Sequence, residues 1–453
     1  MPFSSIKFSE LIGSLSFALD LTEGQPAGHC VRSCWIGTHI GRRLGLDDTE
    51  LWELYYTLLL KDLGCSSNAA RICELYLTDD IGFKHDFKRV DGSLRRVLEF
   101  VVGHTGPGLG LVERIRAVGR ILRHGDAFAQ ELIETRCQRG AEIARRLRFS
   151  EAVAEGIHAL DEHWDGGGKP DGLAGESIPL YARIALLSQV VDVFHTAGDA
   201  HAALDEARRR AGNWFDPTLV AVLETLADDR PFWEMLASDE VDRAVFALAP
   251  GRREVALDED YMDEIAAAFG HVVDAKSPYT AGHSTRVALY TDMLAAELGL
   301  DAARCRWLRR GALLHDVGKL GVSNAILDKP GKLDDDEWAA VRQHAELSEA
   351  ILSRIPAFGE LARVAAAHHE RLDGKGYPRG LRADRIPLET RIITTADIFD
   401  AITAERPYRG AIPIPRSLEI MAENVGTAID ARCFEALRAS LQETPAAVAA
   451  IAA

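Results

Sequence analysis

The chain has 453 residues, 47 % of them hydrophobic and 27 % charged, with a formal net charge of −17. That length and balance suit two or three domains with filled cores and exclude a disordered chain. The negative charge disfavours DNA or RNA as a partner, although a local basic cluster can still face a small anionic substrate.

From the N-terminus, Lys7 and Glu10 lead into a mixed segment containing Asp20 and Glu23, with no signal-peptide pattern. The longest apolar run nearby, residues 54–60, is far too short to span a bilayer. The seven cysteines (Cys30, Cys34, Cys65, Cys73, Cys137, Cys305 and Cys433) are odd in number and contain no CxxC pair. Free thiols and a cytoplasmic protein without a membrane segment are therefore expected. Cys30 and Cys34 could begin a zinc site with His29 and His39, but no second cluster completes it, so buried thiols on a helix are the better reading.

Helical periodicity runs throughout. Residues 301–314, 334–352 and 358–370 carry apolar side chains at three- and four-residue spacing, with aspartates or prolines at many starts and glycine loops between. Ile392–Ile393 reads as buried helix rather than strand. The expected class is all-α.

The chain also repeats itself. Gly28-His29-Cys30-Val31-Arg32 matches Gly282-His283-Ser284-Thr285-Arg286, and Leu60-Lys61-Asp62-Leu63-Gly64 matches Leu314-His315-Asp316-Val317-Gly318. His29 to Lys61 spans 32 residues, as does His283 to His315. Lys61 to Asp165 spans 104 against 58 from His315 to Asp373, so the first copy carries 46 extra residues, placed around residues 66–112. Register then returns: Asp165 to Asp192 and Asp373 to Asp400 are both 27. Two tandem helical bundles follow: a domain at 1–226, a connection at 227–257 marked by Pro231, Pro250 and Gly251, and a domain at 258–453.

The second copy carries the chemistry. His283, His315, Asp316, His344, His368, His369 and Asp397 are imidazoles and carboxylates, the groups that bind Zn, Mn and Fe. The adjacent His315 and Asp316 can diverge to two metals, and one aspartate can bridge two cations. Two such metals, about 3.5–4 Å apart, would share a bridging hydroxide and clamp the phosphoryl oxygens for in-line attack. Lys319 could neutralise a phosphate oxygen, and Arg406 and Arg409, flanking Pro407-Tyr408, could fork onto a second phosphate. The loop Asp373-Gly374-Lys375-Gly376-Tyr377-Pro378 lets backbone approach a ligand and offers Tyr377 for stacking on a base.

These segments, with Ala396-Asp397-Ile398-Phe399-Asp400 and Arg406-Pro407-Tyr408-Arg409, make residues 271–440 resemble an HD-GYP domain of the HD phosphohydrolase superfamily. The resemblance implies a tandem of HD-type helical bundles and a phosphodiesterase with a dinuclear iron or manganese centre. Its first expected substrate is cyclic di-GMP, opened to linear pGpG or GMP. The alternatives are a cyclic GMP-AMP phosphodiesterase, a cyclic-dinucleotide receptor with little turnover, and an HD hydrolase of another nucleotide. Lys319 and Asp316 are the expected catalytic residues. Gly376, Tyr377, Arg406, Arg409 and Asp400 are the expected substrate contacts. Family members with a third metal have a glutamate four residues before the first histidine; here Tyr279 stands there, so two metals are expected.

In the first copy the same register puts Lys61 at His315, Arg136 at His344, Leu160 at His368, Asp161 at His369, Gln189 at Asp397, Lys169 at Tyr377 and Cys65 at Lys319. Only His29 and Asp62 survive. The first copy is expected to be a degenerate HD-GYP domain, with Lys61 paired to Asp62 or Asp161 in place of a metal. Scaffold, homodimer surface and regulatory binder remain open as its role.

Overall fold

Aspartate side chains begin many of the helices, because a carboxylate can accept the backbone N–H groups that a first turn leaves unpaired. Asp47 and Glu50 form a capping box at helix Asp48–Leu60, and Asp334 and Glu337 form another at helix Asp335–Leu352. Asp301 caps helix Ala302–Leu314 through the Arg304 N–H. The structure, a computed structural model, describes residues 7–250, 257–407 and 409–443. Tyr408, Gly251 and the last ten residues of the chain lie outside that set.

Among the described residues there are isolated β-bridges but no strand, so the all-α expectation holds. Ile392 and Ile393 are buried within helix Leu388–Thr403. The expected helix at 358–370 is shorter, Gly359–Ala366. Its early end places His368 and His369 just beyond the last turn. No described helix is long and apolar enough to cross a membrane. All seven cysteines are free.

The chain divides into two units that meet between Leu257 and Asp258. In the second, helix His283–Glu297 is central and packs against Glu259–Asp274, Ala302–Leu314, Leu388–Thr403 and Ala431–Glu443. In the first, helix His29–Leu44 packs against Phe8–Thr22, Asp48–Leu60 and Leu180–Ala197. The shared register is visible in the bounds: Asp48–Leu60 lies 254 residues before Ala302–Leu314, and Glu151–His158 lies 208 before Gly359–Ala366.

Two features distinguish the first unit. Its extra residues form helices Ala69–Tyr76, Asp80–Phe87 and Leu94–His104 and the start of the 36-residue helix Leu111–Arg146. They close a separate apolar cluster around Ile72, Tyr76, Phe83, Phe100, Ile121 and Leu132. The second feature corrects the expected boundary at 226. Residues 227–250 are not a free connection, because helices Arg230–Leu236 and Val241–Leu248 bury Phe232, Trp233, Leu236 and Val245. Trp35 donates to the Phe232 carbonyl at 3.2 Å and Tyr55 to that of Val245 at 3.2 Å. Pro231, read as a linker signal, sits in the first turn of its helix, where a missing N–H costs nothing.

Candidate metal centre

His283 opens its helix directly after Gly282, whose φ of 69° lies in the left-handed region. Asp274 steadies that entry by accepting the Ser284 N–H at 3.1 Å and its hydroxyl at 2.7 Å. His315 caps the end of helix Ala302–Leu314, and Asp316 starts the following short turn. His344 lies on helix Asp335–Leu352, and Asp397 on helix Leu388–Thr403. Gly376 brings the loop back against His369–Arg371; a Cβ there would stand 2.5 Å from the Cα of Glu370.

The seven predicted ligands converge in two groups. His283, His315 and Asp397 form one, and Asp316, His344, His368 and His369 form the other, with the ligand atoms of each group within 4.8 Å of one another. Asp316 stands between them. Its Oδ2 lies 3.3 Å from His283 Nε2 and 3.2 Å from His315 Nε2, while its Oδ1 lies 3.5 Å from His344 Nε2 and 3.6 Å from His368 Nε2. One carboxylate thus turns an oxygen to each group, as a bridge between two cations requires.

The rings are oriented from behind. Nδ1 of His315, His344 and His368 lies 2.7, 2.5 and 2.6 Å from the carbonyl oxygens of Ala312, Val341 and Ala365. Nδ1 of His283 meets Asp400 at 2.7 Å. Donation at Nδ1 leaves a lone pair at each Nε2, the arrangement of metal-ligating histidines. His283 Nε2, His315 Nε2 and Asp316 Oδ1 are buried with no hydrogen-bond partner. Such orphaned acceptors facing one another fit a cation between them.

Electrostatics point the same way. Burial pushes His344 down to about 4 and His369 to about 3, and holds His368 well below its usual range, so these rings are neutral donors at pH 7. Burial opposes a charge on His283, but Asp316, Asp400 and Asp397 around it lift the ring to about 9. The carboxylates demand positive charge at that nitrogen, which a proton or a divalent cation can supply. Burial also opposes ionisation of Asp316, yet His315 and Lys319 keep its carboxyl well below the ordinary value.

The expected catalytic and substrate residues divide. Lys319 Nζ donates to Asp316 Oδ2 at 2.5 Å, placing its ammonium beside the centre. The Tyr377 ring lies 4.7 Å from that of His369. Asp400 is corrected: it is 1 % exposed, and its oxygens are taken by His283 and by Arg286 Nε at 2.6 Å, so it orients the candidate ligand His283 and leaves no oxygen turned to a substrate. Arg409 is corrected too. Its guanidinium donates to the carbonyls of Ala401, Ile402 and Ala404, capping the end of helix Leu388–Thr403, where the last turn leaves carbonyls without helical partners. Arg406 reaches the Ala401 carbonyl at 3.4 Å.

Sequence reasoning missed Arg342 and Trp338. The Arg342 guanidinium lies 5.7 Å from the Tyr377 ring and 5.9 Å from Trp338, which is 44 % exposed. Their spacing of two and six residues before His344 places them on its helix, but only the folded loop brings Tyr377 to them. Arg286 was missed as well, although Arg32 repeats it at the same offset.

In the first unit cations fill two of the same positions. Lys61 Nζ pairs with Asp62, as expected, and Arg136 pairs with Asp161. The inserted segment adds Lys88, whose Nζ lies 3.0 Å from Glu23 Oε2, 3.2 Å from His29 Nε2 and 4.0 Å from Asp62 Oδ1. The orienting contacts persist: His29 Nδ1 meets Asp192 at 2.7 Å, and Arg32 Nε donates to it at 2.6 Å. Burial, with Lys61 and Lys88 nearby, pushes His29 down to about 3. Glu23, Asp62 and Cys65 are close enough together to hold an ion. The ammonium of Lys88 already neutralises that group, so the donor set does not fit a metal.

The HD domain family model matches residues 117–219 and 268–433, one stretch in each unit. A 3'3'-cGAMP-specific phosphodiesterase 3 of Vibrio cholerae serotype O1 is 57 % identical over 98 % of this chain and 96 % of its own length. A cyclic di-GMP phosphodiesterase response regulator of Xanthomonas campestris pv. campestris is 34 % identical over 41 % of this chain and 50 % of its own. The crystal structure of a cyclic GMP-AMP specific phosphodiesterase of V. cholerae superposes with a TM-score of 0.67 at 52 % identity, covering 96 % of this chain and 98 % of that one. Two units in one register, one with seven converging candidate ligands and one with cations at two of those positions, make this chain a member of the HD domain family, a tandem HD-GYP protein whose N-terminal copy is degenerate.

Proposed function

We propose that the C-terminal unit is a metal-dependent phosphodiesterase that hydrolyses 3'3'-cyclic GMP-AMP. The observation that carries the chemistry is Asp316, with one oxygen turned to each group of histidines. The substrate reading rests on the near-full-length likeness to a 3'3'-cGAMP-specific phosphodiesterase. Cyclic di-GMP, placed first from sequence, is named for relatives that match less than half of this chain, and becomes the second reading.

His283, His315, Asp397 and Asp316 would hold one divalent cation, and His344, His368, His369 and Asp316 a second; iron or manganese suits this imidazole and carboxylate set. Bound there, the ions would supply Lewis-acid charge to the phosphoryl oxygens and acidify the attacking water.

The chain's own groups do the rest. Asp400 and the carbonyls of Ala312, Val341 and Ala365 hold the rings so that Nε2 faces inward. The Lys319 ammonium, anchored on Asp316, directs its remaining N–H donors to an oxygen that gains charge as the phosphodiester opens. Tyr377, Arg342 and Trp338 present a flat platform for a purine base beside His344.

The test is turnover of 3'3'-cyclic GMP-AMP and of cyclic di-GMP, side by side, by the full chain loaded anaerobically with iron or manganese. The expected result is a higher kcat/KM for cyclic GMP-AMP. A preference for cyclic di-GMP would restore the first reading. Binding of either without cleavage would make the protein a receptor.

A further inference from the structure

The degenerate centre of the first unit opens on a cavity of about 280 Å³. Arg136, Asp161, Lys169 and Gln189 lie on its wall, at the positions of His344, His369, Tyr377 and Asp397. The cavity therefore sits where the candidate metal ligands and Tyr377 gather in the second unit. The inserted segment has relined it. Ile72, Tyr76, Phe83 and Val90 come from that segment, and Val193 and Trp214 face them. The walls are mostly apolar, and the polar groups gather around the former ligand positions.

Charge is unbalanced there. Lys84, Lys88, Arg136 and Lys169 line the cavity against Glu23 and Asp161. His163 is neutral at pH 7, because burial pushes it down to about 4. Glu23 answers Lys88 and Asp161 answers Arg136. Lys84 is left with the neutral carbonyls of Thr22 and Cys65, and Lys169 with the neutral Gln130 Oε1 at 3.2 Å and with Asp126, which is 94 % exposed and shields it weakly.

From these observations we propose that the cavity binds a small amphipathic anion, one carboxylate or phosphate head on an apolar body. The head meets the surplus ammonium groups, and the body fills the relined walls. The volume, just under the range of about 300–1,000 Å³ for drug-sized ligands, is too small for a whole cyclic dinucleotide with its two bases, two sugars and two phosphates. The apolar walls offer little to the hydroxyls of a ribose, which argues against a mononucleotide. The site is separate from the centre in the second unit, so it does not depend on which substrate is cleaved.

Isothermal titration calorimetry on the full chain tests this, with octanoate and octyl phosphate as probes for the two head groups. Octanol (the same body uncharged) and inorganic phosphate are the controls. One site per chain is expected for at least one amphiphile, with both controls binding at least about tenfold more weakly. Lys169→Ala, at a half-exposed position, should weaken binding about tenfold, and Ala129→Phe, which fills the cavity, should abolish it. Thermal unfolding of both variants separates lost binding from lost fold. No binding of either amphiphile to the native chain would overturn the proposal. So would undiminished binding by a folded Ala129→Phe chain, or tighter binding of GMP than of the amphiphiles at this cavity.

Discussion

Lys88 Nζ lies 3.2 Å from His29 Nε2, the ring nitrogen that in His283 faces the candidate metal centre. The same ammonium reaches Glu23 at 3.0 Å and Asp62 at 4.0 Å. Burial opposes each of these charges, and Lys88 is the group that holds Glu23 at about 2. Lys88→Met should therefore leave a buried carboxylate uncompensated and lower stability by about 3 kcal/mol or more. Lys88→Met combined with Glu23→Gln should recover much of that loss. Urea midpoints of the two variants check both statements.

Two rings in the first unit, His29 buried and His163 half-buried, make its stability depend on pH. His163 is held at about 4 and His29 at about 3, mainly by burial, against 6.5 for a free ring. Both take up a proton on unfolding that the folded chain refuses. Their contribution is complete above pH 6.5 and is lost as pH falls toward 4, by about 1.4 kcal/mol per pH unit per ring. Asp20, raised by burial to about 6, works in the opposite sense: its contribution is present at low pH and fades as pH rises through 6. Two rings outweigh one carboxylate, so the unit should weaken from pH 6.5 to 5, and His163→Gln should flatten the slope. Chemical denaturation across that range, followed by hydrogen exchange in helix Leu180–Ala197, reads the effect.

Asp400 acts through His283. Asp400→Asn keeps the shape but removes the charge that orients the ring and favours a cation on it. Metal affinity should fall about 10- to 100-fold, as it does when such supporting carboxylates are lost elsewhere. Competition with a chelator measures it, and unchanged affinity would return Asp400 to the substrate side.

Arg409→Ala separates two roles for that side chain. As a cap on helix Leu388–Thr403 it should contribute about 1 kcal/mol to stability and leave KM nearly unchanged. A large rise in KM at unchanged stability would mean that the guanidinium swings to a phosphate when substrate binds.

The candidate metal ligands were legible because seven imidazoles and carboxylates fall together on one set of motif positions; adjacent pairs such as His315-Asp316 are weak signals alone and strong in that company. The failure of the first copy was legible for the same reason: Lys61 and Arg136 stand where His315 and His344 stand. Lys88 was not, because it lies in an insertion with no counterpart to compare. Asp400 and Arg409 were placed in the right neighbourhood but given the wrong partners. Spacing shows which helix a side chain occupies, not whether its polar end meets a ligand, a histidine or a row of carbonyls. The end of the first domain was misread because Pro231 signals a helix start as readily as a linker.

The most direct test compares two homologous aspartates. Asp316→Asn and Asp62→Asn chains, purified with iron or manganese, are assayed for bound metal and for turnover of 3'3'-cyclic GMP-AMP. The account predicts that Asp316→Asn loses both metal and turnover, while Asp62→Asn, if folded, keeps the metal content and turnover of the native chain. Metal and turnover that persist in Asp316→Asn, or vanish in a folded Asp62→Asn, would contradict it.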